Sequence, residues 1–171
     1  MPLDRQPLIA LAFALAFAAL PSPSPAAEPA TADTKAVEAV LQQYKDALER
    51  LDLKGVDALF AARNTVVESG KVEGSYADYL VHHIGPELGH FKSFKFSDYK
   101  VDTRIEGDIA LTTETYRYAI VLKDKPEPIE RQAVATSALK KIDGRWQILS
   151  MHSSSRAPRP PKPATAAPIK H

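Results

Sequence analysis

No cysteine occurs among the 171 residues, which excludes disulfides, thiolate metal ligands, iron–sulfur clusters and a cysteine nucleophile. An excess of one charge is also lacking. The 22 Lys+Arg nearly cancel the 21 Asp+Glu, which argues against a nucleic-acid protein held by a basic surface. Proline is scarce in the middle: of 14, only Pro86, Pro126 and Pro128 lie between Pro29 and Pro158. There is no P-loop, GxGxxG, GxSxG or HExxH, so the usual nucleotide, hydrolase and metalloprotease signatures are missing. No internal repeat is found.

The ends are of different material from the body. Leu8–Leu20 is a run of thirteen apolar residues, too short for the ~20 that a bilayer core needs. It follows Arg5 and precedes PSPSPAA, the layout of a signal peptide cleaved near Ala26 or Ala27. An uncleaved anchor or a buried helix are the alternatives. The Ala/Pro style points to bacterial export, hence a periplasmic or secreted protein. The organisation expected is a signal peptide over 1–27, a linker over 28–33, one domain over 34–155 and a basic tail over 156–171. Proline fixes φ and removes donors, so that tail is expected to be extended and disordered, as a tether or as a solubilising end.

In the body, Asp33 is a good N-cap. Val37, Val40, Leu41, Tyr44, Leu48 and Leu51 follow at helical spacing on one face. A short second helix is expected after Asp52, with Val56, Leu59 and Phe60 inward, then a strand over 65–68 turned by Ser69-Gly70. A third helix starts at Ser75, carries Tyr76, Tyr79, Leu80 and His83, and is broken near Gly85-Pro86. The period then becomes two. Phe94 and Phe96 alternate, and parity slips before Tyr99 and Val101, which marks a bulge. Strands follow over 109–122, 129–142 and 145–152, with turns at Glu106-Gly107-Asp108, over 123–128 and at Asp143-Gly144. Helices first and long antiparallel strands after them give an α+β fold. Three N-terminal helices packed on a curved, mostly antiparallel sheet would form a cone-shaped barrel with one open end.

The segments VEAVLQQYKDALERLDLKGVDALFA, NTVVESGKVEGSYADYL and DGRWQILSMHSSS resemble the nuclear transport factor 2-like superfamily, in its SnoaL-like branch, as an exported bacterial member. The resemblance covers the whole folded body. It implies a cone-shaped α+β barrel, a homodimer through the sheet, and a pocket between helices and sheet. It also implies a choice among isomerases, dehydratases, cyclases and non-enzymatic modules. The isomerase branch sets a carboxylate base against a tyrosine and a protonated acid, and no motif places that trio here.

Histidine is the most informative residue type: His82, His83, His90, His152 and His171. His83 shares the inward stripe with Tyr76 and Tyr79. His152 shares strand parity with Trp146, Ile148 and Ser150, so it faces the core if Trp146 does. Glu68, His83 and His152 could converge as ligands for Cu or Zn, or as an acid–base group with an orienting carboxylate. A pocket histidine bonded to Ser or Glu is the structural alternative. Tyr76, Tyr79, Tyr116 and Tyr118 either line the pocket with Trp146 or pack with their hydroxyls at a rim. Arg104, Arg117 and Arg131 either clamp an anion or pair across strands with Glu106, Glu114 and Glu130. Glu73 is either a mouth carboxylate or a solvated turn acid; Ser153 to Ser155 either cap a pocket or end the strand.

The reading these residues favour is an exported protein that binds a small ligand or metal ion in a His-lined pocket without turnover. The alternatives are an acid–base isomerase, dehydratase or cyclase using His83 or His152, and an oligomerisation module.

Overall fold

The computed structural model describes residues 27–159, with side chains from residue 32 onward. The expected signal peptide and the tail beyond residue 159 lie outside the described residues. Helix α1 spans Ala27–Arg50, taking in the segment 28–33. Asp33 therefore lies inside the helix instead of capping it. Its carboxylate accepts from Lys141 Nζ at 2.6 Å and from the Trp146 indole N–H at 3.0 Å, tying α1 to the last hairpin. Val37, Leu41, Ala47 and Leu48 are buried on one face, as their spacing predicts. Each large aliphatic side chain so removed from water contributes roughly 1.5–3 kcal/mol. The helix ends with Leu51 at φ 56. The amide of Leu51 donates to the Leu48 carbonyl and that of Asp52 to Ala47, the paired closure that satisfies free carbonyls at a helix end.

The expected second helix is only a 3₁₀ turn, Val56–Leu59, and Phe60 already opens strand β1, Phe60–Glu68. A short β2, Lys71–Gly74, folds back on it. Ser75 caps the next helix in a reciprocal capping box with Asp78. That helix does not break at Gly85-Pro86. It runs from α2 (Tyr76–Tyr79) through a π-helical turn (Leu80–Ile84) into α3 (Gly85–His90). The wider π turn just before Pro86, which has no N–H to donate, lets the helix continue past it into α3.

Four long strands follow: β3 Phe91–Glu106, β4 Ile109–Leu122, β5 Ile129–Ile142 and β6 Arg145–Arg156. Their hairpin turns are those expected, with Gly107 at φ 64 and Asp143-Gly144 at φ 49 and 77. The sheet order is β2-β1-β6-β5-β4-β3, antiparallel except for β1 against β6. The core lies between α1, the α2–α3 segment and the inner face of the sheet.

Of the register shifts along the sheet, two bear on the site. One lies between Ser97 and Lys100, where Asp98 takes φ 54, at the place where the hydrophobic parity slips in the sequence. The other is in β6. Leu139 faces Ile148 while Ala138 faces Ser150, so Leu149 is the extra residue. It reverses the parity of everything after it. Trp146, Ile148 and Met151 are buried, whereas His152 is exposed on the other face.

Candidate functional site

A cavity of about 100 Å³ opens between the helices and the sheet. Tyr44, Lys45 and Leu48 face it from α1, and Tyr79, Ile84 and Glu87 from the α2–α3 segment. On the sheet side β3 supplies Phe91, Phe94 and Phe96, while β4 supplies Glu114, Tyr116 and Tyr118. β5 contributes only the methyl groups of Ala133 and Ala135. Glu68 at the end of β1 and Met151 with Ser153 to Ser155 on β6 complete the wall. Exposed Glu87, Ser154 and Ser155 mark the mouth.

The aromatic side chains hold one another in place. Phe94 and Phe96 stack at 4.8 Å with 12° between their planes, and Phe96 tilts against Tyr116 at 5.1 Å. Lys45 Nζ stands over the Phe96 ring at 5.5 Å and pairs with Glu49 at 2.9 Å. Glu49 in turn accepts the Phe96 backbone N–H at 3.0 Å, pinning α1 to β3.

Glu114 is the unusual group. It is 7% exposed, and it accepts a hydrogen bond of 2.5 Å from the Tyr99 hydroxyl. Burial pushes its carboxyl above the ordinary range, and the Tyr99 bond opposes that shift. The expectation that Glu114 pairs with an arginine on the outer face is corrected. Arg117 instead reaches Asp98 at 3.5 Å, and Arg104 reaches Glu106 at 3.4 Å. Alternation along β4 carried the signal, because Glu114 shares parity with Tyr116 and Tyr118.

A second carboxylate–tyrosine pair stands at another wall. The Tyr79 hydroxyl donates to Glu68 Oε2 at 2.6 Å. Behind it is His83, with Nδ1 3.0 Å from Glu73 Oε1 and Nε2 3.4 Å from Glu87 and 3.8 Å from Glu68. The Glu73 side chain is 2% exposed, so it is neither a solvated turn acid nor a cavity-lining group. Its bond with Lys71, and then His83, hold its carboxyl below the ordinary range. Burial pushes Glu87 upward.

Of the seven pocket residues expected from sequence, Tyr79, Tyr116 and Tyr118 line the cavity. Tyr76 is instead core, stacked on Phe60 at 4.2 Å. Trp146 is spent on Asp33. His83 stands one contact behind the wall, and His152 is turned outward by the Leu149 bulge. The cavity is therefore lined by aromatic rings and carboxyl groups, not by histidine. Glu68 and His83 approach each other but His152 does not join them. Among the described residues no three His, Cys, Asp or Glu side chains are arranged to hold a metal ion. The residues that sequence reasoning missed are Glu114, Tyr99, Tyr44 and the Phe91–Phe94–Phe96 wall.

Solved structures share this architecture. A candidate ketosteroid isomerase from Shewanella frigidimarina is 30% identical, with a TM-score of 0.60 over 70% of this chain and 94% of that one. A candidate dehydratase of the NTF2-like family from Streptomyces avermitilis is 19% identical, with a TM-score of 0.64 over 74% of this chain and 97% of that one. A hexachlorocyclohexane dehydrochlorinase, LinA-type3, from Novosphingobium barchaimii is 12% identical, with a TM-score of 0.60 over 74% and 88%. No curated protein matches the chain. Residues 37–158, the folded body almost entire, match the SnoaL-like domain, and the chain belongs to that family within the NTF2-like superfamily.

Proposed function

We propose that this protein is an acid–base enzyme of the isomerase or dehydratase type, with Glu114 as the group that carries the proton. The observation that bears the reading is a carboxyl buried in an aromatic cavity, bonded to one tyrosine and raised in pKa by that burial. A carboxylate made more basic by burial takes a proton from carbon more readily than an ordinary one. Three chemistries in the structural relatives' names, isomerisation, dehydration and dehydrochlorination, can all proceed by such a removal.

In the proposed step Glu114 removes the proton of an acidic C–H. The C–H electron pair moves into a new C=C bond and negative charge collects on the neighbouring carbonyl oxygen. Tyr116, on the same wall, donates to that oxygen. The proton then returns from Glu114 to another carbon, or the chain of electrons expels a leaving group. Glu68, fixed by Tyr79, supplies the second carboxyl on the cavity wall. Two further readings belong with this one: export, supported by the Leu8–Leu20 run, and a homodimer, supported by exposed Leu111 and Val134 on the outer face of the sheet.

The test is proton exchange with solvent deuterium, and isomerisation, across unsaturated ketones of one to four rings. Glu114→Gln should lower kcat by about 10²–10⁴-fold with the chain still folded. No exchange in any ketone, or full activity of the variant, sinks the reading.

A further inference from the structure

We infer that the cavity takes a single six-membered neutral ring bearing a carbonyl or hydroxyl, of the cyclohexenone or phenol class, and rejects fused rings and anions. The inference rests on the proton-transfer reading only in giving that oxygen a use; size and polarity carry the rest.

Size comes first. An apolar cavity of about 150 Å³ suffices for one benzene, and this one is about 100 Å³ with an open mouth. One ring fits if its substituent points out past Ser154 and Ser155; a second fused ring does not. Shape agrees. Phe96, stacked on Phe94 and tilted against Tyr116, gives the cavity an aromatic wall. On the neighbouring strands, Ala135 lies beside Glu114 and Ala133 beside Tyr116, so the space over both polar groups is left clear by methyl side chains.

Charge excludes the rest. Glu68, Glu87 and Glu114 line the cavity, which repels a carboxylate. Its one lining cation, Lys45, is bonded to Asp46 and Glu49. The Tyr116 hydroxyl and Glu114 Oε1, the oxygen that Tyr99 does not engage, are two of the polar groups that face a ligand. Both suit a carbonyl or hydroxyl oxygen.

Titration of the full chain at pH 7 with p-cresol, cyclohex-2-enone, 2-naphthol and benzoate, followed by NMR, tests the inference without any turnover. The first two should bind, and the other two at least about tenfold more weakly, the scale on which a pocket resolves small size differences. Ala135→Leu should remove p-cresol binding. Phe96→Ala should bring 2-naphthol up by about tenfold or more, and this arm decides if the leucine variant does not fold. Wild-type preference for 2-naphthol or benzoate overturns the inference. So does unchanged p-cresol affinity in a folded Ala135→Leu. Ring binding with no proton exchange in any ketone would leave this inference standing and remove the enzymatic one, whereas turnover confined to fused-ring ketones would do the reverse.

Discussion

At the scale of single residues, Glu114 dominates the physical chemistry. A carboxyl hemmed in by Tyr99, Tyr116 and the alanines of β5 is costly to ionise, and burial raises its pKa. The sign of the linkage follows. Glu114 imposes no penalty below the unfolded value, about 4.3. As pH rises from there through the higher folded value, the folded state loses stability relative to a residue that does not titrate. Glu114→Gln should therefore gain on the wild type as pH rises. Urea melts at pH 4 and pH 8 should show a more favourable difference for the variant at pH 8, and equal differences at both would mean the carboxyl titrates as an exposed one. Tyr99 acts in the opposite direction by donating to the charged form. Tyr99→Phe should move the acid limb of the kcat/KM profile to higher pH.

At the scale of elements, the segment between Tyr76 and His90 decides where the mouth carboxylates stand. Its π turn closes with the Gly85 amide on the Leu80 carbonyl. A Cβ on Gly85 would lie 2.3 Å from that same oxygen, so only glycine permits the turn. Gly85→Ala should cost about 1–3 kcal/mol, as overpacking does, and should displace the His83 ring from Glu73. A thermal melt and the chemical shifts of His83 would report both; a wild-type melt with unmoved shifts would show that glycine is not required. The Leu149 bulge matters as much. A strand read by strict alternation puts His152 with Trp146 inside, and one inserted residue sends it outside and puts Met151 in the wall. Sequence patterning could foresee the β3 bulge because the phenylalanines and Tyr99 change parity visibly. In β6 the residues around the bulge, Gln147 to Ser150, alternate no more clearly in one register than another.

At the scale of the whole molecule, the sheet curls round the cavity and leaves its other face to solvent. Leu111 and Val134 are 39% and 44% exposed on that face, beside Thr113 and Thr136. If two copies meet there, sedimentation of the full chain should give twice the mass of the 18.7 kDa chain. Leu111→Glu with Val134→Glu should return it to one copy while leaving p-cresol binding intact. A wild-type monomer at working concentrations would rule the pairing out. No helix among the described residues is long and apolar enough to cross a membrane.

The sequence by itself determined the long strands of the sheet, but not β2 or the start of β1. The strands over 109–122 and 129–142, the turns at Gly107 and Gly144, and the α+β order follow from alternation and turn chemistry, which act between neighbours in the chain. It also determined which face of α1 is buried, because helical spacing is local too. What only the tertiary structure decided is which inward faces meet. Glu114 and Tyr99 come together through the β3–β4 register, Lys45 and Phe96 through the docking of α1, and His152 is lost to an insertion in β6. Such convergence depends on bulges, curvature and pairing between residues distant in sequence. A histidine-centred site is therefore what local periodicity suggests, and an aromatic cavity with a buried carboxyl is what the folded chain contains.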